Sequence, residues 1–279
     1  MMNNLELTAM PTISFIGGGN MARALISGLQ KQQFEMTSIT VVELDAVKRQ
    51  QLNNDFNVNT TEQLVAACKA DLIVLAVKPQ QLRDLAIFLG GQLQHQLIVS
   101  IAAGVRSADL SRWLGGYSNI VRVMPNTPAQ IGMGISALYA MPKVSELQRN
   151  QACQLLQAVG ETLWLDDELQ MDAVTAISGS GPAYVFYFIE ALQKAGVALG
   201  LSEFEANQLA LHTFAGAGQL ALQSQQDVAT LRNQVTSKGG TTEQGILSLA
   251  SHNVEKIILA AAKAAADRSV SLGNDLGKN

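Results

Sequence analysis

The chain has 279 residues, of which 48% are hydrophobic and 15% charged, enough for one large or two ordinary domains with a sizeable core. Its formal net charge of -4 and isoelectric point near 5.4 argue against a nucleic-acid partner, which needs concentrated Lys and Arg to displace counterions. No apolar run reaches the roughly 18 residues of a membrane span, and a mean hydropathy of +0.15 with so few charges points to apolar surface covered by another subunit.

The opening MMNNLELTAMP carries Glu6 and no basic residue, which predicts a short frayed extension rather than a signal peptide. TISFI (Thr12–Ile16) predicts a strand, GGGN a turn and MARALISGLQKQ a helix. SITVVE (Ser38–Glu43) predicts a second strand and DAVKRQQLNNDF a second helix. After FNVNT and a helix through Leu64 to Cys68 comes ADLIVLAV (Ala70–Val77). It is apolar on both faces, as a central parallel strand is. LIVSIAA (Leu97–Ala103) is of the same type, and NIVRVMPNTP ends a strand in a proline-bracketed loop. GISALYA and ETLWL are later strands flanking a helix over Glu146–Val159. Strands alternating with helices give an α/β, doubly wound parallel sheet over residues 1–165.

Beyond Trp164–Asp167 the pattern turns helical. Glu168–Ile177, Ala183–Leu199, Glu203–Gln223 and Val254–Val270 all have helical spacing. The stretch Phe186–Val197 and the LAAAKAAA run are apolar around much of their circumference and must be buried. An all-α domain over residues 166–279 has few ways to do that alone, so the expectation is burial against a second copy in a homodimer. Cys68 and Cys153 are far apart in helical segments and are expected as buried free thiols of a reducing cytoplasm.

Strand, then Gly17-Gly18-Gly19-Asn20-Met21-Ala22, then helix fits the G-x-G-x-x-A turn in its required context. One glycine makes the turn, the next lets backbone approach a pyrophosphate, and Ala22 lets the helix pack on the strand. The helix N-terminus offers free N–H groups to phosphate. The second strand ends at Glu43, where an acid hydrogen-bonds the adenosine ribose of NAD and repels the 2′-phosphate of NADP. Lys48 and Arg49 follow and are able to offset that charge. AVKPQ (Ala76–Gln80), SIAAGV (Ser100–Val105) and VMPNTP (Val123–Pro128) fall at the carboxyl ends of strands, where ligands of open α/β sheets gather.

VTSKGGTTEQG (Val235–Gly245) combines two glycines, which let a turn point N–H groups inward, with Thr241 and Gln244 in the T-x-x-Q form of a capping box. A helix starting there is an anion site. Ser178-Gly179-Ser180-Gly181-Pro182 reads as a tight helix-to-helix turn, Pro182 suiting a first helical turn. His95, His212 and His252 are scattered and the cysteines do not join them, so no metal site is expected.

Together FIGGGNMA, AVKP, SIAAGV, VRVMPNTPA, SGSGPAYVF and VTSKGGTTEQG resemble the motifs of the pyrroline-5-carboxylate reductase family, in order and at its spacings, over nearly the whole chain. The resemblance implies a Rossmann domain followed by a helical domain that interleaves with a second subunit, the dimers often assembling into rings. It implies cytoplasmic reduction of 1-pyrroline-5-carboxylate to L-proline with NADPH or NADH, the last step of proline biosynthesis. By motif, Gly17, Gly19, Asn20 and Met21 would line the cofactor phosphates. Val77, Lys78, Pro79, Ala102, Ala103 and Asn126 would flank its ribose and nicotinamide. Ser237, Gly239, Gly240, Thr241 and Thr242 would hold the substrate, with Thr242 facing the imine nitrogen. Two positions depart from the family: Lys238, where many members have Pro, and Glu43-Leu44, where many NADPH users have a small polar or basic pair.

Two rival readings have their own signals. A β-hydroxyacid dehydrogenase carries a catalytic lysine in G-x-G-x-x-x-K, and here that position is Val185. A non-catalytic dinucleotide sensor shares the fold, but both glycine loops are intact.

Overall fold

The computed structural model describes residues 11–278; the expected N-terminal extension, all but its last residue Pro11, lies outside them. The elements run β1 (Ile13–Ile16), α1 (Asn20–Lys31), β2 (Ile39–Val42), α2 (Ala46–Phe56), β3 (Asn59–Thr61), β4 (Leu72–Leu75), α3 (Pro79–Gly90), β5 (Leu97–Ser100) and α4 (Ser107–Trp113). Then come β6 (Ile120–Met124), β7 (Gly134–Ala140), α5 (Glu146–Gln157) and β8 (Gly160–Trp164). The strands form one sheet in the order β3-β2-β1-β4-β5-β6-β7-β8. Its first six strands have the order of a dinucleotide-binding doubly wound sheet.

Strand alternation supplies both faces of the core. In β4, Leu72 and Val74 join one apolar cluster and Ile73 and Leu75 the other. All four are fully buried, and each such side chain contributes about 1.5–3 kcal/mol relative to exposure. The sheet departs from all-parallel at β7, which runs antiparallel to β6 with Val123 opposite Leu138. The cause is connection length. A parallel return needs a crossover of a dozen or more residues. Here a short 3-10 turn over Thr127–Ile131, ended by Gly132 at φ 74°, sends the chain straight back.

The rest is helical: α6 (Gln170–Val174), a π-helical turn over Thr175–Gly179, α7 (Gly181–Ala198), α8 (Glu203–Gln223), α9 (Val228–Gln234), α10 (Thr241–Ser251) and α11 (Val254–Gly277). α8 matches its predicted span, and Ser202 with Glu205 forms its capping box. α11 runs on past the expected end at Val270. α9 lacks a clear sequence pattern; Asp227 starts it by accepting from the Thr230 N–H at 2.8 Å.

Two compact units result. The first runs to Gly179 and resumes at Ala265, and the second spans Ser180–Ala264. The boundary expected at residue 165 therefore falls inside the first unit. Met171 of α6 is fully buried, and Glu168 pairs with the buried Arg122 of β6 at 2.9 Å, which ties this helical segment to the sheet. In the second unit α7 packs on α8, where Gly196 and Ala206 bring the helices close. Large apolar side chains stay open in the single chain: Phe186 is 65% exposed, Tyr187 70% and Leu199 86%. Cys68 and Cys153 are free but half-buried rather than buried. Burial raises the Cys68 thiol above its ordinary pKa. Among the described residues no helix is long and apolar enough to cross a membrane.

Candidate functional site

The glycine turn follows β1, beside its neighbours β2 and β4. Gly17 has φ 100°, and a Cβ there would stand 2.7 Å from the Ala76 carbonyl oxygen. Only glycine fits that close crossing. Gly19 is different: a Cβ on it would meet no heavy atom within 4 Å. The open space lies at the start of α1, whose first intrahelical donor is Arg23 N–H, bonded to the Gly19 carbonyl at 3.0 Å. The N–H groups of Asn20, Met21 and Ala22 thus have no acceptor within the helix. An open cradle lined by such donors fits a pyrophosphate.

Next to it lies a cavity of about 410 Å³, whose walls include Gly19, Glu43, Lys48, Val77 and Lys78. Volumes of this order suit a mononucleotide half. Glu43 spends both oxygens on the backbone: Oε2 accepts from Gly18 N–H and Oε1 from Asp45 N–H, each at 3.0 Å. It therefore ties the glycine turn to the end of β2 while bordering the cavity. Arg49 is committed elsewhere, donating to the carbonyls of Glu43 and Leu44 at 2.8 Å and to Glu62 at 3.2 Å. Of the two cations that follow Glu43, Lys48 is the one that lines the cavity.

Lys78 caps α3 and Pro79 occupies its first turn, where a missing N–H costs nothing. Ala102 is buried and Ala103 half-buried in the loop after β5. Asn126 follows β6 and uses its amide as a bracket: Ile135 N–H donates to Oδ1 at 3.0 Å, and Nδ2 donates to Ser178 Oγ at 3.3 Å. Ser178 sits in the π-helical turn, a distortion often found at functional sites. Neither the roles of Gly18 and Ser178 nor the Arg122–Glu168 pair emerged from sequence. Gly18 lies between the two motif glycines, and its partner Glu43 is 25 residues away. Partners 46 residues apart, as Arg122 and Glu168 are, leave no local signal.

The VTSKGGTTEQG loop lies in the second unit. Gly239 has φ 77°, and Gly240 N–H donates to the Ser237 carbonyl at 3.0 Å, closing a tight turn. α10 begins at Thr241 as expected, but no capping box forms. Gly240 is the N-cap and has no side chain, so Thr241 falls one place too late to act as one. Glu243 replaces it by accepting from Gly239 N–H at 2.7 Å. Gln244 N–H bonds back to the Gly240 carbonyl, which leaves the N–H groups of Thr241, Thr242 and Glu243 without intrahelical acceptors. Ser237, Lys238, Gly239, Thr241 and Thr242 are all exposed in the single chain. The cofactor-side residues and this loop thus belong to different units.

The histidines stand apart. The His95 side chain is 71% exposed and 4.0 Å from Asp71. His212 is exposed, and His252 ends α10. Among the described residues no group of three or more His, Cys, Asp or Glu stands together as a metal site would require.

Known proteins resemble this chain over most of its length. The family model described as pyrroline-5-carboxylate reductase dimerisation matches residues 168–272. One described as NADP oxidoreductase, coenzyme F420-dependent, matches residues 12–104. The pyrroline-5-carboxylate reductase of Pseudomonas aeruginosa is 47% identical over 270 residues, 96% of this chain and 99% of the relative. That of Haemophilus influenzae is 42% identical, covering 92% and 96%. Among solved structures, a pyrroline-5-carboxylate reductase from Coxiella burnetii superposes with TM-score 0.90 at 39% identity, covering 94% of this chain and 98% of that one. The Plasmodium falciparum pyrroline carboxylate reductase with NADP bound gives TM-score 0.83 at 29% identity, with the same coverage.

Proposed function

This chain belongs to the pyrroline-5-carboxylate reductase family, and from that premise we infer that it reduces 1-pyrroline-5-carboxylate to L-proline with NAD(P)H, the last step of proline biosynthesis. The observation that carries the reading is relatedness over nearly the whole chain at 47% identity, joined to an intact glycine cradle that is open at Gly19. The direct test is NAD(P)H oxidation by the purified enzyme with 1-pyrroline-5-carboxylate, run with each cofactor. Turnover yielding proline supports it; no oxidation with either cofactor overturns it.

NAD(P)H supplies the hydride, and the protein supplies placement. We assign the cofactor phosphates to Gly17, Gly19, Asn20 and Met21, with Glu43 at the adenosine ribose. Val77, Lys78, Pro79, Ala102, Ala103 and Asn126 flank the ribose and nicotinamide. The substrate carboxylate is assigned to the loop of Ser237, Gly239, Gly240, Thr241 and Thr242. There the free N–H groups of the first turn of α10 act as charge-assisted donors, each worth about 1.5–3 kcal/mol. Glu243 already holds the Gly239 N–H, so the carboxylate relies on the donors at Thr241 and beyond. An imine carbon accepts hydride best when its nitrogen is protonated. A threonine hydroxyl is a poor acid at neutral pH, so Thr242 hydrogen-bonds or relays a proton at that nitrogen while the proton itself comes with the substrate from solvent.

Glu43 sets the balance between the two cofactors. A carboxylate about 4 Å from a 2′-phosphate costs about 1–4 kcal/mol across effective dielectrics of 80 to 20, and Lys48 offsets part of that. Glu43→Ser should raise the NADPH/NADH ratio of kcat/KM about tenfold, a shift of about 1.4 kcal/mol. Both absolute values should fall, because Gly18 N–H loses its acceptor. An unchanged ratio would remove Glu43 from the ribose site.

The exposed apolar faces of the second unit fit a homodimer, and we extend this to a ring of dimers. Sedimentation of the dilute enzyme should show a species larger than a dimer; a dimer alone would refute the ring, and a stable monomer the interleaved helices as well. Two free cysteines accord with a reducing compartment, and we place the enzyme in the cytoplasm.

A further inference from the structure

The last three turns of α11 pack within the first unit, on the segment that follows β5. Ser269 and Gly273 are buried, and Leu272 and Leu276 half-buried, a spacing that defines one helix face. That face meets Gly104 directly. A Cβ on Gly273 would stand 3.0 Å from the Gly104 carbonyl oxygen. A Cβ on Gly104 would stand 3.1 Å from Leu272 Cδ2 and 3.5 Å from Leu276 Cδ1. Gly104 also has φ 79°, a conformation other residues rarely adopt. Helix and loop backbones thus touch with no side chain of either glycine between them.

Polar contacts fix the same pairing. Arg106 Nη2 donates to Asn274 Oδ1 at 2.8 Å, and Arg112 Nη2 to the Gly277 carbonyl at 2.7 Å. Ser269 Oγ donates to Asp172 Oδ1 at 2.6 Å, holding the helix to α6. The loop is also held at its far end, where Ser107 N–H donates to Glu168 Oε1 at 2.6 Å. Leu276 packs on the apolar cluster that contains Ala102 and Val105.

We propose that the C-terminal turns of α11, through Leu272, Gly273 and Asn274, are a positioning element for hydride transfer: they fix the Ala102–Gly104 loop against the nicotinamide. The proposal rests on the assignment of Ala102 and Ala103 to the nicotinamide site. Ala102 and Ala103 carry only methyl groups, so the loop offers the ring mainly backbone, whose position something else must set. A displacement of about 1 Å at such a position costs on the order of 100-fold in rate.

The test uses the full-length enzyme and compares Asn274→Ala and Leu272→Ala with Asn274→Asp, which keeps the oxygen acceptor for Arg106. Readouts are kcat, the KM of cofactor and imine, the primary isotope effect with cofactor deuterated at the transferred position, inhibition by ADP-ribose, and Tm. The expected result is a fall in kcat of about tenfold, within the range set by misplacement. The isotope effect should rise as hydride transfer becomes limiting, while ADP-ribose inhibition stays unchanged and Asn274→Asp recovers to within about twofold. A lower Tm with unchanged kcat and isotope effect overturns the proposal, since the helix end would then only stabilise the fold. Ala103→Leu separates the two levels. If it impairs turnover while the α11 variants do not, the loop is at the nicotinamide and only the positioning role falls. If it leaves kcat and cofactor KM unchanged, the nicotinamide assignment falls and takes the proposal with it.

Discussion

Gly19→Val is expected to raise the KM for NAD(P)H by about 100-fold or more, equivalent to about 2.7 kcal/mol, with little change in Tm. The reasoning is local. Gly19 has φ -73° and ψ -176°, an extended conformation open to any residue, and its Cβ position is free of neighbours within 4 Å. A valine therefore fits the protein. It does not fit a pyrophosphate lying on the first turn of α1, because its methyl groups occupy that space. Gly17 provides the contrast. Gly17→Ala puts a Cβ 2.7 Å from the Ala76 carbonyl oxygen at φ 100°, a strain of about 1–3 kcal/mol, so stability falls as well as affinity. Cofactor titration and thermal melts of both variants check the pair. Normal NAD(P)H binding by Gly19→Val would move the phosphate site off this turn.

The difference between these glycines marks what the sequence carries and what it does not. The G-x-G-x-x-A pattern located the turn, because tight turns and close approaches demand particular residues at particular spacings. It also gave one glycine to the turn and the next to the pyrophosphate, but not the neighbour that holds the first in place, since Ala76 is nearly 60 residues away. The strands were legible because buried parallel strands are continuous apolar runs; Leu72–Leu75 reads as one at sight. The reversal at β7 was less visible, because it follows from the length of the link after β6 rather than from any strand residue. The helix boundary at Thr241 was legible but its cap was not. A T-x-x-Q pattern requires its threonine just before the helix, and the chain enters the helix one residue earlier, at Gly240. α11 shows the same limit. Its Ala-rich start announces a helix, whereas the contact of Gly273 with Gly104 depends on a partner far away in the chain.

For Thr242 the expected result is a kinetic split. Thr242→Val should lower kcat about 10- to 100-fold, or about 1.4–2.7 kcal/mol of transition-state stabilisation, while the KM for the imine changes less than about threefold. Valine keeps the shape and β-branching of threonine, and its helix propensity is similar. The start of α10 and its N–H donors should therefore survive, and with them the hold on the substrate carboxylate. What disappears is one hydroxyl at the nitrogen whose charge changes during the reaction. The iminium loses its positive charge as hydride arrives, so a group that both accepts and donates a hydrogen bond follows that change without moving. Thr242→Ser, which keeps the hydroxyl, should retain most of kcat. Two other outcomes would be decisive. A KM increase with unchanged kcat would make Thr242 part of carboxylate binding alone, and unchanged values of both would remove it from the mechanism. Glu243 makes the kinetic split more informative. Its carboxylate anchors Gly239 from within the same turn, so the loop keeps its form when Thr242 loses its oxygen, and a change in kcat then reports on the hydroxyl rather than on a collapsed turn.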